Sequence, residues 1–323
     1  MTEADRFRTD LTRVAGTIPM PMLLAVSGGP DSMAMLALAA QALPGILTAA
    51  TVDHGLRAEA ADEAAMVAAR CATLGVPHAT LTGSVPAKGA SLQAQARTLR
   101  YALLTAHART IGAEAIATAH HADDQAETFL MRAARGSGLS GLSGVRALVA
   151  IDGVTIVRPL LDWRRAELRA IARRAEMPFV DDPANADGRH DRTRFRRLLD
   201  ANEWLDPPRL ARSAAALAEA DADLRAIADW IWSARAVTAE GAVVTLAIDG
   251  LPRGLLRVLA RRAIGVVRHA AAIATPEWSE AASVEPLLDA LAQGRRATHA
   301  GVIAGMRGGV WRFRPAPPRR SAV

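Results

Sequence analysis

The chain has almost none of the side chains that thiol and lysine chemistry need. Its 323 residues include one cysteine, Cys71, and one lysine, Lys88. A single thiol excludes a disulfide framework, a cysteine-rich zinc site and any catalysis that needs two thiols. The lone lysine lies far from the glycine loop at Ser27–Ser32. That excludes the ordinary P-loop, G-x-x-x-x-G-K-[ST], in which a lysine reaches the phosphates. The start Met1-Thr2-Glu3-Ala4-Asp5-Arg6 has no apolar run behind a basic segment, so a cytoplasmic rather than a secreted protein is expected. Met33–Val52 carries no charge and has the length of a membrane span. Pro44-Gly45 breaks it, however, and Asp31 and Asp53 bracket it, so it reads as helix, turn and buried strand.

What the chain has instead is arginine. Of the 39 basic residues all but Lys88 are arginine, and with 33 acids the net charge is +6. Half of the residues are apolar, and a chain of this length buries a large core and suits two domains. A break at Asp206-Pro207-Pro208 divides it into 1–208 and 209–323. The first part is balanced, with 23 basic and 23 acidic residues; the second has 16 arginines against 10 acids and holds the whole excess. Arginine presents a planar fork suited to phosphate. A polyanion partner and a plain solvated arginine surface both fit that charge.

Strand and helix alternate through the first part. Met22–Val26 reads as a strand, Ser32–Ala42 as a helix, Thr48–Val52 as a strand and Ala58–Leu74 as a helix. His78–Leu81 follows as a strand, Ser91–Ile111 as a helix with Ser91 as N-cap, Ala115–Thr118 as a strand, then a helix ending at Gly136. Val154–Val157 closes the series before a helix over Trp163–Ala175. This alternation predicts an α/β fold with a doubly wound parallel sheet, whose ligands bind at the carboxyl ends of the strands. After Pro208 the pattern predicts a smaller, mostly helical domain. It has helices over Leu210–Ala236, 254–268 and 284–292, a strand over Val243–Ile248, and β-like pieces near Val302 and Val310–Phe313. Arg314–Pro318 reads as a disordered tail.

Three clusters carry chemistry. Ser27-Gly28-Gly29-Pro30-Asp31-Ser32 joins the first strand to the first helix. Its glycines let backbone amides approach an anion, and the helix N-terminus adds partial positive charge. Ser27 and Ser32 add hydroxyl donors, and Asp31 is the candidate ligand for Mg²⁺. Asp53-His54-Gly55-Leu56-Arg57 ends the second strand, and His120-His121-Ala122-Asp123-Asp124-Gln125-Ala126-Glu127-Thr128 follows the fourth. Asp124 and Glu127 share a helix face and suit either Mg²⁺ or an incoming ammonium group. The histidines beside them have no standard zinc spacing. The third cluster is Asp181–Asp187 followed by Arg192-Thr193-Arg194-Phe195-Arg196-Arg197, turn formers leading into a basic helix. Gly136-Ser137-Gly138-Leu139-Ser140-Gly141 matches the dinucleotide fingerprint in letters. It follows a helix rather than a strand, which rejects that reading and leaves a flexible loop beside the active site.

In this order and with this content the clusters resemble the PP-loop (N-type) ATP pyrophosphatases and, within them, the tRNA(Ile)-lysidine synthases. The resemblance spans roughly residues 22–200. It rests on Ser27–Ser32, Asp53–Arg57, Gln93–Tyr101, Ala117–Thr128, Arg135–Gly138, Arg158-Pro159-Leu160-Leu161 and the Asp182-to-Arg196 segment.

The resemblance implies a ligase that adenylates the wobble cytidine of the CAU-anticodon isoleucine tRNA at carbon 2, with release of pyrophosphate. The amine of free L-lysine would then displace AMP to give lysidine. By the same likeness Ser27, Gly28, Gly29, Pro30, Asp31, Ser32, His54 and Arg57 would bind ATP, with Asp31 serving Mg²⁺. Arg100 and Arg192 would stabilise developing negative charge, and Asp124 and Glu127 would bind or deprotonate the lysine ammonium. Asp31, Arg100, Asp124, Glu127 and Arg192 are thus the implied catalytic set. The basic part 209–323 would meet the tRNA, no membrane is involved, and a homodimer is left open. Two departures stand out: Ala184 occupies the serine position of the family's D-x-S-N turn, and the chain resembles the family's shorter members. The paired cysteines of tRNA-thiolating relatives are missing. A PP-loop ligase for a small metabolite and a non-catalytic RNA-binding protein are the rival readings. Intact Asp31, Asp124 and Glu127 weigh against the second.

Overall fold

The computed structural model describes residues 1–55, 59–85, 92–181, 191–239, 241–279 and 282–317. Arg57, Ser91 and the Asp182–Asp187 turn with Ala184 lie outside the described residues. The chain forms two compact units, Met1–Ala218 and Glu219–Val323. The division falls inside a long helix, later than the Pro207-Pro208 break.

The first unit is a six-stranded sheet in the order β3-β2-β1-β4-β6-β5. Its strands are β1 (Met22–Ala25), β2 (Leu47–Asp53), β3 (His78–Thr82), β4 (Ala115–Ala117), β5 (Leu148–Ile151) and β6 (Val154–Val157). All neighbours pair in parallel except β5, which runs antiparallel to β6. The chain winds outward from β1 to β3, then crosses back to β4 and continues the other way. The switch point therefore lies between β1 and β4, where doubly wound sheets bind ligands.

Helix α2 (Pro30–Ala42) explains the uncharged run. Ser32 to Ala39 are all buried, so a helix that is apolar on every side lies in the core. Among the described residues no helix is long and apolar enough to cross a membrane. Around the sheet lie α3 (Ala60–Thr73), α4 (Leu92–Thr110), α5 (Ala122–Ala134) and α7 (Arg165–Arg174). Several elements were not expected from sequence, an N-terminal helix and β5 among them. Helix α1 (Glu3–Ala15) carries a Thr2/Asp5 capping box and buries Phe7 and Leu11. Strand β5 forms a hairpin with β6 through Asp152 and Gly153, both at positive φ, as the tightest hairpin turns require.

The second unit is built from the end of α9 (Pro207–Arg235), α10 (Arg253–Ala270), α11 (Glu285–Ala292) and a five-stranded sheet. The strands are β7 (Ala236–Ala239), β8 (Val243–Ala247), β9 (Ala297–His299), β10 (Val302–Arg307) and β11 (Val310–Pro315), antiparallel in the order β7-β8-β11-β10-β9. Its core gathers Leu259, Ile264, Leu288, Val302, Trp311 and Phe313. The β-like pieces seen in sequence are thus members of one sheet. The expectation of a disordered tail is corrected at its start, because Arg314 and Pro315 belong to β11 and pair with Ile303 and Val302.

Candidate active site

The loop after β1 is shaped by its own hydroxyls. Ser32 Oγ donates to the Gly29 carbonyl (2.9 Å), and the Ser27 N–H donates to Ser32 Oγ (3.1 Å). Gly28 sits at φ +82°, a conformation that a side chain would strain. Gly29 caps α2 with Pro30 at the first helical position and no side chain on the helix N-terminus. The first amides of α2 are therefore left for an anion.

Beside this loop β4 delivers the second cluster. His121 caps α5: its Nδ1 accepts from the Asp124 N–H (3.3 Å), and Asp124 Oδ2 accepts from the His121 N–H (3.1 Å). Its Nε2 lies 3.4 Å from Asp31 Oδ2 and 3.5 Å from Asp124 Oδ2. This buried imidazole links the two loops at the switch point. Burial opposes its charged form, but Asp124 and Asp31 outweigh that and hold its pKa above the ordinary histidine value. Its neighbour His120 accepts or donates at Thr118 Oγ1 (2.9 Å). Burial pushes His120 down to about 3, so it is neutral.

Asp124 and Glu127 are separated in environment although they share a helix. Asp124 Oδ1 takes Arg192 Nη2 at 2.5 Å. Burial would raise its pKa, but His121 and Arg192 hold it well below the carboxylate range. Glu127 has no exposed surface and accepts from three arginines: Arg165 (2.5 Å), Arg192 (2.7 Å) and Arg196 (2.9 Å). These likewise overcome burial and hold Glu127 below its ordinary value. Arg192 and Arg196 lie four apart on α8 (Asp191–Asp200), so one helix face holds both. Asp123, grouped with these carboxylates in the sequence, lies 3.7 Å from His121 Nδ1 but makes its hydrogen bonds to the start of α7. It takes Arg164 in a fork at 3.1–3.3 Å and the Arg165 N–H at 2.8 Å, tying down the start of α7.

A pocket of about 210 Å³ opens at this place. Among its lining residues are Ser27, Gly29, Asp31, Ser32, Arg100, Asp124 and Arg192, so most of the expected set converges there. Glu127, Gly28, Pro30 and His54 do not line it; His54 lies 3.5 Å from Arg100, which is on the wall. Arg100 has no carboxylate within ion-pair distance among the described residues. Sequence reasoning missed Arg165 and gave no role to the pocket arginine Arg97, seen only within the Gln93–Tyr101 segment, or to Arg196, seen only as part of a basic helix start. The four-residue spacing of Arg192 and Arg196 was a readable signal for the last; nothing in sequence tied Arg165 to Glu127. The loop after α5 is also corrected. Residues 136–144 contain the single turn α6 (Leu139–Leu142), do not line this pocket, and are held by Arg132 on the Gly141 and Gly144 carbonyls.

Asp31 also passes a test for a divalent cation. Its Oδ1 is buried with no hydrogen-bond partner. Among the described residues no three or more His, Cys, Asp or Glu side chains are arranged so as to hold a metal ion by themselves. A lone carboxylate beside a phosphate loop fits Mg²⁺, which takes one or two carboxylates and fills its shell with substrate phosphates and water.

Comparison with known proteins agrees with this geometry. The family described as PP-loop domain matches residues 6–202. A tRNA(Ile)-lysidine synthase of Novosphingobium aromaticivorans is 44% identical, covering 98% of this chain and 95% of that protein. One from Zymomonas mobilis is 42% identical, covering 93% and 90%. Among solved structures, a U34-tRNA thiolase from Methanococcus maripaludis superposes with a TM-score of 0.56 at 19% identity, over 67% of this chain and 77% of that one. That last likeness concerns the fold.

Proposed function

The chain belongs to the PP-loop family and, within it, to the tRNA(Ile)-lysidine synthases, and from that premise we propose how its residues carry out the reaction. It is an ATP-using ligase that acts on tRNA. The substrate is the isoleucine tRNA with a CAU anticodon, and the second substrate is free L-lysine.

ATP enters with its phosphates on the Ser27–Ser32 loop and its base against the apolar wall of Ala25, Val26, Ala50, Val52 and Leu104. Asp31 would hold Mg²⁺, which would supply neutralisation of the phosphate charge. The oxygen on carbon 2 of the wobble cytidine attacks the α-phosphorus and pyrophosphate leaves. Arg100, lacking an internal carboxylate partner, meets the negative charge that develops, since preorganised cations aimed at developing charge lower a barrier. The lysine amine then bonds to carbon 2, and AMP departs with that oxygen.

Asp124 receives the amine. In the free enzyme its Oδ1 holds a guanidinium nitrogen of Arg192, and the substrate ammonium takes that place and loses its proton there. Released from Asp124, Arg192 turns to the departing phosphate. Glu127 acts through the arginines it anchors and contacts the lysine only when Arg192 has moved.

The observation that supports this most is the meeting of the β1–α2 loop, Asp124 and Arg192 on one pocket. The test is incorporation of labelled lysine into a tRNA(Ile) transcript with a CAU anticodon, with ATP and Mg²⁺, against methionine tRNA. Incorporation into the first alone is expected. ATP cleavage to AMP without incorporation would leave a PP-loop enzyme with another acceptor.

A further inference from the structure

The arginines of the second unit fall into two populations. Those of α10 are already used. Arg253 binds Glu285 (2.6 Å) and Asp289 (2.5 Å), Arg257 binds Glu285 (2.5 Å), and Arg262 binds Asp229. The buried Arg268 donates to backbone carbonyls, including that of Pro276 at 2.9 Å.

The sheet carries the other population. Strand alternation buries Val302, Ala304, Trp311 and Phe313 in the core, so Ile303, Gly305, Arg307, Arg312 and Arg314 point to the opposite face. Register sets Arg312 between Gly305 and Thr245, and Arg314 beside Ile303. Arg296, just before β9, lays its stem over Gly305: a Cβ there would stand 3.3 Å from Arg296 Cγ. Gly305 thus admits a fourth guanidinium to the face. Arg296, Arg307, Arg312 and Arg314 are all exposed, and no carboxylate lies within ion-pair distance of any of them among the described residues. The remaining outward positions of β8, β10 and β11 are valine, threonine, alanine, isoleucine and glycine, with no acid.

Four like charges on and beside adjacent strands repel one another, and the described residues of the unit offer them no counter-charge although they supply one to three arginines of α10. An anionic ligand would supply that charge. Rigid strands space Arg312 and Arg314 by about 7 Å, suited to successive anions along a chain. Each guanidinium matches a phosphate with its planar fork. The face has no aromatic side chain, since Trp311 and Phe313 are turned inward, so it has neither a base-stacking platform nor the apolar anchors of a membrane-bound surface.

We propose that this sheet face, through Arg296, Arg307, Arg312 and Arg314, grips the sugar–phosphate backbone of the substrate tRNA without reading its bases. This rests on the reading of the chain as a tRNA-modifying ligase. The face sets affinity and leaves the chemical step alone.

The test compares full-length wild type, the double variant Arg312→Gln/Arg314→Gln, and Arg253→Gln as a paired-arginine control. Binding of tRNA(Ile) and of methionine tRNA is measured across a salt series, alongside lysine incorporation. In the double variant the slope of log affinity against log salt falls by about 1.4–1.8, from roughly 0.7–0.9 for each lost phosphate contact. Both tRNAs lose affinity alike, KM for tRNA rises, and kcat and KM for ATP stay as in wild type. Arg253→Gln keeps the wild-type slope, and Arg312→Lys/Arg314→Lys recovers most of it, which a folding defect would not allow. An unchanged slope in the double variant overturns the proposal. So does binding of wild type, but not the variant, to phosphatidylglycerol vesicles with tRNA affinity intact. If wild type incorporates no lysine but the slope still drops, the face stands and the ligase reading falls. If lysine is incorporated and the slope is unmoved, the reverse holds.

Discussion

Two glutamates in this chain collect arginines, one in each unit. Glu127 has no exposed surface and holds Arg165, Arg192 and Arg196; Glu285 is more than a third exposed and holds Arg253 and Arg257. Both are held below the ordinary glutamate value. At Glu127 burial opposes the charge and the arginines overcome it; at Glu285 the hydrogen bonds of Arg257 and Arg253 lead and burial matters little. The same donors and acceptor therefore do different things. The Glu127 carboxylate is closed to water while its arginines are only partly covered, so the cluster ties α8 to α5 and α7 and keeps Arg192 at the pocket. Around Glu285 water can replace a lost partner.

The largest effect expected from this difference is on activity. Asp124→Asn, which removes the charge that Arg192 bridges to Glu127, should lower lysine incorporation by about a hundredfold or more, the range of a lost acid–base group. Its tRNA affinity should stay near wild type; lost binding in a filter assay would sink the role given to Asp124. Next comes stability. Glu127→Gln removes the buried carboxylate that holds three part-exposed guanidinium groups and should cost about 1.5–3 kcal/mol, read from urea midpoints. A cost below about 1 kcal/mol, the ordinary range of an exposed pair, would erase the contrast with Glu285.

Salt and acid sharpen it further. Both folded-state pKa values are depressed, so both pairs contribute stability above the unfolded glutamate pKa of about 4.3, which is lost as pH falls through the folded values. The loss in Glu285→Gln should be within about 1 kcal/mol and vanish in about 1 M salt. The loss in Glu127→Gln should survive that salt. Urea titrations of both variants between pH 7 and pH 3, with and without salt, measure this. The smallest effect is kinetic. Cys71 is fully buried in the first unit and its thiol is pushed up to about 11 by burial, so alkylation follows opening of that unit. Glu127→Gln should speed labelling while Glu285→Gln leaves it at the wild-type rate; equal acceleration by both would mean that the clusters are not independent.

Much of the first unit was readable because its signals are local. Uncharged Met33–Val52 between Asp31 and Asp53 has one economical folded solution, and glycines at the end of a strand mark an anion loop wherever they occur. The elements left out were misjudged for different reasons. Helix α1 announces itself only through Thr2 and Asp5 with Phe7 and Leu11, a short pattern before a glycine. Strand β5 was missed although Asp152-Gly153 between apolar runs is a hairpin signal. The strands of the second unit are three to six residues long and lie between helices, so no single one has a periodicity strong enough to declare a sheet.

The site divides in the same way. Sequence spacing alone put Asp124 and Glu127 on one helix face and Ser27–Ser32 at a strand's carboxyl end, because a helix repeat and a strand terminus are properties of consecutive residues. Their different fates came from partners far along the chain. Arg192 reaches Asp124 from α8 and Arg165 reaches Glu127 from α7, while His121 joins Asp31 across the gap between β1 and β4. Water exclusion around Glu127, and the absence of any acid opposite Arg312 and Arg314 among the described residues, depend on which surfaces face one another. Charge type and spacing are written in the chain; which charges are paired, and which are left for a ligand, is decided only when distant segments pack and set the dielectric between them.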